Sequence, residues 1–302
     1  MSGPSAPVLP ANAPEIGRVA SARRLLKRIL GNSGTLLGGG LLLLIVLASL
    51  IGPLVYWQDP FTQDVANRIA EPFWNGGGAA HPFGTDTLGR DYLARLLYGG
   101  RISLLIGVLA VSMAAAIGVT LGLVAGYFGG RVDLVVRFLI TTRLAMPVVL
   151  VALSVVATVG NSLTIVILVL GFLIWDRFAV VARTTAMQVR GIDYVKAARA
   201  VGSSHARIIF KEILPNISNG LIVVATVELA NAILLEAALS FLGLGVQPPL
   251  PSWGLMIAEA KDYLFFSPWL ITLPGIALVL LVLAINLLGD GVRDITAPSG
   301  TR

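Results

Sequence analysis

The chain has 302 residues, of which 56% are hydrophobic and 13% charged, with a mean hydropathy of +0.86 and a formal net charge of +6. A soluble domain carries about 25% charged residues, so this composition excludes an ordinary soluble fold and points to an integral membrane protein. With no Cys, and with only His81 and His205 far apart in sequence, thiolate–metal, iron–sulfur and disulfide chemistry is excluded and a His-based metal site is not expected.

Residues 1–15 are rich in Pro, Ala and Ser and read as a disordered tail. Arg23, Arg24, Lys27 and Arg28 then form a basic cluster next to an apolar run, read as a positive-inside anchor rather than a nucleic-acid patch. Residues 1–34 are thus expected to be a cytoplasmic tail. The apolar run at 36–56 is longer than the roughly 7–15 residues of a signal-peptide core and long enough to span a bilayer at roughly 20 residues. It is expected to be a retained first span with the N-terminus inside. Residues 35–100 hold this span and an extracytoplasmic segment. Within that segment Tyr92, Leu93, Leu96 and Leu97 fall on one helical face and Arg90, Asp91 and Arg95 on the other, the pattern of a helix lying at the membrane surface. Residues 58–80 carry no readable signal.

The core, 101–292, is expected to supply the remaining spans. The second, 102–127, has small residues at every fourth position: Ala110, Ala114, Gly118, Gly122 and Gly126. Such a stripe lets two helices approach closely. The third, 134–159, is interrupted by Arg143 and Pro147. The fourth, 163–181, carries Asp176 and Arg177. The fifth, 217–239, carries Glu228, Asn231 and Glu236, the last expected to be close enough to the outer end to be solvated. An irregular loop rich in Gly and Pro follows at 240–254, then a surface helix at 255–266 with Glu259, Lys261 and Asp262 exposed. The sixth span, 269–288, leads to a cytoplasmic tail at 293–302. The expected fold is an all-α polytopic membrane protein with six spans and both termini inside.

Counting from an inside start places residues 183–216 in the cytoplasm, where Arg183, Arg190, Lys196, Arg199, Arg207 and Lys211 are concentrated. Apolar residues at Val195, Ala198, Val201, Ile208, Ile209 and Ile213 recur at helical spacing. Gly202, Ser203 and Ser204 interrupt them, and Pro215 is expected to stop the second helix. A basic helical hairpin on the inner face suits a docking element for a cytoplasmic partner.

These residues carry a family resemblance. Ala197 and Ala198, Gly202, and Leu214 with Pro215 resemble the EAA loop of ABC-importer permeases. Lys196 stands where that family usually has Glu, and Glu212 where it usually has Ile. The literal Glu236-Ala237-Ala238 lacks the following spacing and is a coincidence. Residues 83–103 resemble the stretch before the second span in dipeptide, oligopeptide and nickel permeases. The string 240–254, SFLGLGVQPPLPSWG, resembles the C-type membrane subunit of peptide/nickel ABC importers almost letter for letter, and 286–291 ends the last span as in the same family. The resemblance implies a type I ABC importer permease fold in a bacterial inner membrane. It implies a homologous B-type permease, two ATPase subunits and an extracytoplasmic substrate-binding protein as partners. It also implies ATPase coupling through Lys196, Ala197, Ala198, Gly202, Ser203, Leu214 and Pro215. No P-loop occurs, since none of Lys27, Lys196, Lys211 and Lys261 follows a Gly, so no cofactor is expected here and ATP and Mg belong to the ATPases.

The substrate implied by family abundance is di- or oligopeptides, with nickel, glutathione or opines as alternatives. A stand-alone secondary transporter would show inverted repeats and intramembrane carboxylates. Glu228 and Glu236 keep that reading open, though inverted halves are not evident. An intramembrane enzyme has no support, because Asp176 and Asp193 form no pair at metal or protease spacing. The resemblance implies an apolar residue at 143, so Arg143 is a departure. Three roles stand open for it: snorkelling to inner-leaflet phosphates, pairing with a carboxylate such as Glu228, or lining the pathway and attracting a substrate carboxylate. Arg143, Glu228 and Asn231 are the candidate pathway residues, and Ala114, Gly118, Gly122 and Gly126 the candidate packing residues.

Overall fold

The computed structural model describes residues 31–296. The basic cluster at 23–28 and the ends of both tails lie outside them. The described residues are almost wholly helical. Helix α1, Ser33–Val55, starts where the Asn32 side chain accepts the Thr35 amide at 3.0 Å. Helix α2 is Tyr92–Phe128, α3 Gly130–Ala145, α4 Val148–Val159, α5 Leu163–Leu173, α6 Asp176–Val189 and α7 Asp193–Ala200. After a short turn, His205–Arg207, and a π-helical stretch, Ile208–Ile213, come α8, Leu214–Phe241, α9, Trp253–Ala260, and α10, Trp269–Thr296.

Five stretches are each long and apolar enough to cross a membrane, and α3 with α4, bent by 86°, make a sixth if the pair counts as one span. The bend has a local cause. Proline disfavours helical backbone in the residue before it, and Met146 accordingly adopts an extended conformation just ahead of Pro147. Leu37, Leu43, Leu44, Leu54, Val135, Phe138 and Val279 are among the large apolar side chains left exposed. On a soluble protein such surface would aggregate; here it is the surface lipid covers.

Two apolar cores sit on either side of α8. One joins α2, α5 and α6 with the inner hairpin, and the other joins α1, α9 and α10. Small residues set the closest approaches. A Cβ on Gly38 of α1 would meet the Leu288 amide nitrogen at 2.5 Å and the Ala284 carbonyl at 2.8 Å, and one on Gly291 of α10 would meet the Thr35 amide nitrogen at 2.8 Å.

Several expectations are corrected. The surface helix at 92–97 is the first turn of α2, which starts where Asp91 accepts the Ala94 amide at 2.7 Å and runs unbroken for 37 residues. At 1.5 Å per residue this helix is about 55 Å long and projects beyond the roughly 30 Å hydrocarbon core. Arg90 and Arg95 do not face water; they are 3% and 1% exposed. Lys261 and Asp262 are exposed as expected, but they follow helix α9 rather than lie on it, Glu259 is half-buried, and the first turn of α9 is no surface helix. Trp253 and Met256 are buried, the Trp253 indole donates to the Leu96 carbonyl at 2.8 Å, and the Trp253 amide donates to Ser103 at 3.1 Å. Glu236 is 1% exposed and accepts from Ser240 at 2.7 Å and Ser252 at 2.8 Å, so the loop at 240–254 folds over it and shields it from solvent. The fourth span reaches Val189 through α6. Pro215 does not stop a helix. It occupies the first turn of α8, where a missing amide costs nothing, and the preceding π turn carries the chain on.

Candidate functional site

The inner hairpin is built from α7 and the turn and π stretch that follow Gly202. Its internal face holds Val195, 1% exposed, with Ile208, Ile209 and Ile213 all buried. A Schellman arrangement closes α7: the Gly202 amide donates to the Arg199 carbonyl at 3.0 Å and the Ser203 amide to the Ala198 carbonyl at 3.1 Å. That motif requires a left-handed residue, and Gly202 supplies it with φ +84°. Ser204 caps the next turn by accepting the Arg207 amide at 3.3 Å. The far end is tied by Asn216, whose side chain donates to the Tyr194 hydroxyl at 2.9 Å and the Glu212 carbonyl at 2.6 Å. Lys196, Ala197 and Pro215 are exposed, and Ala198, Ser203 and Leu214 are half-buried. Among the described residues Lys196 pairs with exposed Asp193, at 3.1 Å, and with no other carboxylate. Val201 and Phe210 stand out from the hairpin at 87% and 65% exposure.

The hairpin is fastened to the inner end of α2 through Tyr127, a residue that sequence reading did not single out. The Tyr127 hydroxyl lies 2.8 Å from His205 Nδ1, the Arg199 guanidinium sits 5.3 Å above the Tyr127 ring, and Arg190 donates to the Tyr127 carbonyl at 3.1 Å. Nearby, Arg183 forks onto Asp133 of α3, with Nη2 2.8 Å from Oδ2 and a second, shorter contact through Nε. The basic residues of this stretch were visible; that one tyrosine and one aspartate organise them was not, because both belong to other elements.

Within the membrane-spanning part, the breaks between α3 and α4 and between α5 and α6 face one cavity of about 410 Å³. It is lined by Arg143, Met146, Ile174, Asp176, Arg177, Glu228 and Asn231. The three candidate pathway residues therefore share one site. A second cavity of about 390 Å³ shares Leu144, Asp176, Arg177 and Glu228 with it and is otherwise lined by Val180, Val181, Val223, Val224 and Val227. Non-helical backbone at membrane depth is tolerated where it is buried or lines a cavity. Glu228 is not the partner of Arg143; it is 3.0 Å from Arg177 Nη1, with Asn231 donating to it at 3.4 Å. Arg143 instead turns back on the helix break, with Nη1 3.3 Å from the Met146 carbonyl and a buried, unpartnered Nε.

The small-residue stripe of α2 lies on α6. A Cβ on Gly122 would meet the Ala179 carbonyl at 2.5 Å and the Arg183 amide nitrogen at 2.9 Å, one on Gly126 the Arg183 carbonyl at 2.6 Å, and one on Gly118 the Phe178 Cβ at 2.6 Å. Ala114 is fully buried on the same helix. At the outer end, Arg95 bridges Asp86 and Glu259, the latter at 2.8 Å, and Arg90 reaches Asp86 at 2.6 Å and Glu259 at 3.5 Å.

Comparison with known proteins gives a consistent result. Residues 118–300 match the family described as binding-protein-dependent transport system inner membrane component, and residues 22–72 match the N-terminal transmembrane domain of oligopeptide transport permease C. The di/tripeptide transport system permease protein DppC of Pseudomonas aeruginosa is 40% identical over 96% of this chain and 96% of its own length. The dipeptide permease DppC of Haemophilus influenzae is 38% identical over 88% and 91%, and the glutathione permease GsiD of Pectobacterium atrosepticum 36% over 86% and 85%. A solved inward-facing MetNI methionine ABC transporter aligns with a TM-score of 0.56 at 19% identity, covering 67% of this chain and 97% of its own, which speaks for the fold.

Proposed function

Since the chain belongs to the family of binding-protein-dependent transport inner membrane components, we propose that it forms one half of the translocation pathway of a bacterial inner-membrane importer of di- and oligopeptides. A homologous permease supplies the other half, two ATPases bind ATP and Mg below, and an extracytoplasmic binding protein delivers the substrate. The observation that carries this reading is the exposed inner hairpin, closed by the Gly202 cap and fastened to α2 through Tyr127. A rigid element that protrudes from the inner face and is bolted to a span converts motion of a docked ATPase into rotation of the helices above it. Closure of the two ATPases moves both hairpins together and rocks the permease halves between inward- and outward-facing states, a rigid-body transition. Short peptides are favoured as substrate by relatives named for dipeptides and di/tripeptides. The relative named for glutathione supports a second reading, a modified tripeptide on the same route.

The test is reconstitution of the full complex in proteoliposomes with labelled Ala-Ala. Uptake is expected only with ATP, both ATPases and the binding protein present. Uptake by this chain without ATPases would overturn the reading in favour of a stand-alone transporter.

A further inference from the structure

The charges of the intramembrane cavity balance in sum but are not all paired. Four ionisable groups line it: Arg143, Asp176, Arg177 and Glu228. Arg177 and Glu228 neutralise each other across 3.0 Å. That leaves Arg143 and Asp176, neither of which forms an ion pair among the described residues. Among those residues Arg143 is held by the Met146 carbonyl alone and keeps a buried Nε without a partner. Asp176, 6% exposed, sits in the first turn of α6, where the helix dipole favours its charge without discharging it. Charged groups inside a span are costly, and those that persist pair with one another or mark a substrate path. One unpaired cation and one unpaired anion in a single cavity are complementary to a zwitterion. The volume, about 410 Å³, falls in the range of small-molecule sites, roughly 300–1,000 Å³.

On the importer reading above, on which this rests, we propose that Arg143 and Asp176 receive the two termini of a short peptide in transit. The Arg143 guanidinium donates to the terminal carboxylate, and the Asp176 carboxylate accepts from the terminal ammonium. The adjoining compartment walled by Val180, Val223 and Val227 receives an apolar side chain. The Arg177–Glu228 pair, shared by both compartments, holds the wall between them. This assigns Arg143 the third of its candidate roles and places a selection for free termini in the permease.

The experiment uses the whole complex in proteoliposomes, its partner subunits carrying Ser in place of any Cys. Arg143→Leu and Asp176→Asn are each expected to assemble in normal amounts and to lower Ala-Ala uptake roughly tenfold or more, the loss of one charge-assisted contact. Because the chain has no Cys, Arg143→Cys provides a single thiol in it. An ammonium-bearing methanethiosulfonate should restore Ala-Ala uptake, the neutral methyl reagent should not, and Ala-Ala with binding protein and ATP should slow the labelling. Unchanged uptake by Arg143→Leu, labelling equally fast with and without Ala-Ala, or failure of both charge-removing variants to assemble as a partner-permease contact requires, would overturn the proposal. Each of these outcomes leaves the importer reading standing. No ATP-dependent Ala-Ala uptake by the wild-type complex would instead overturn the peptide-importer reading itself.

Discussion

Gly202 combines left-handed backbone with open space: a Cβ placed there meets nothing within 4 Å. Its requirement is therefore conformational. A side chain in the left-handed region costs roughly 1–2 kcal/mol, least for Asn, so Gly202→Asn is expected to keep both hairpin and uptake. Gly202→Trp puts a large side chain on the exposed tip, where an ATPase groove has to fit. Peptide uptake should fall to background while ATP hydrolysis continues; normal uptake by the Trp variant would show that the tip does not dock. At this scale sequence was an uneven guide. The break at Gly202 was legible as an interruption of the helical pattern, its left-handed backbone was not, and Arg143 was legible as a charge among apolar neighbours. That Arg177, rather than Arg143, holds Glu228 was not legible, because which guanidinium reaches a carboxylate depends on how two broken spans are aimed.

The spans themselves were legible in hydropathy, and the stripe on α2 in its four-residue period; its partner was not. A period states which face is small, and nothing in it says that α6 lies there. The contact is between backbones, since a Cβ on Gly122 would press on the Ala179 carbonyl and the Arg183 amide nitrogen, which cannot swing aside as a side chain can. Overpacking of this kind costs about 1–3 kcal/mol, occasionally more. Gly122→Ala is expected to lower the melting temperature of the purified complex measurably and Gly122→Leu to abolish assembly. An unshifted melting curve for the Leu variant would mean that the two helices are not held at this distance. Elements were misread where sequence neighbours outvoted distant ones. Helix α9 has charged residues at its end, yet Trp253 and Met256 bury it against α2 and α10.

The outer end of the molecule is tied by one buried cluster. Arg95, 1% exposed, joins Asp86, in the segment between α1 and α2, to Glu259, 164 residues away in the chain. Read alone, Arg90 and Arg95 look like a wet helix face; only the fold brings the two carboxylates that let them be buried. Removing one member of a buried ion pair costs about 3–5 kcal/mol because the remaining charges lose their partner. Arg95→Met should therefore leave Asp86 and Glu259 sharing Arg90 alone, one negative charge in excess, with the complex recovered in low yield and melting below wild type. Arg95→Met with Glu259→Gln should recover part of the loss, and no recovery would mean the cluster does not act as a unit. The outermost pair of spans carries a different consequence. Helix α1 is closed against α10 through Gly38 and Gly291, with Asn32 reaching Asp294 at 3.4 Å. A ribosome emits residues at about 5–20 per second, so α1 enters the membrane well before α10, and the interface between them does not exist until α10 arrives. During that interval of tens of seconds α1 has only lipid or a chaperone to cover the groove that α10 will fill, and a chain cut short before Trp269 leaves it permanently open to quality control.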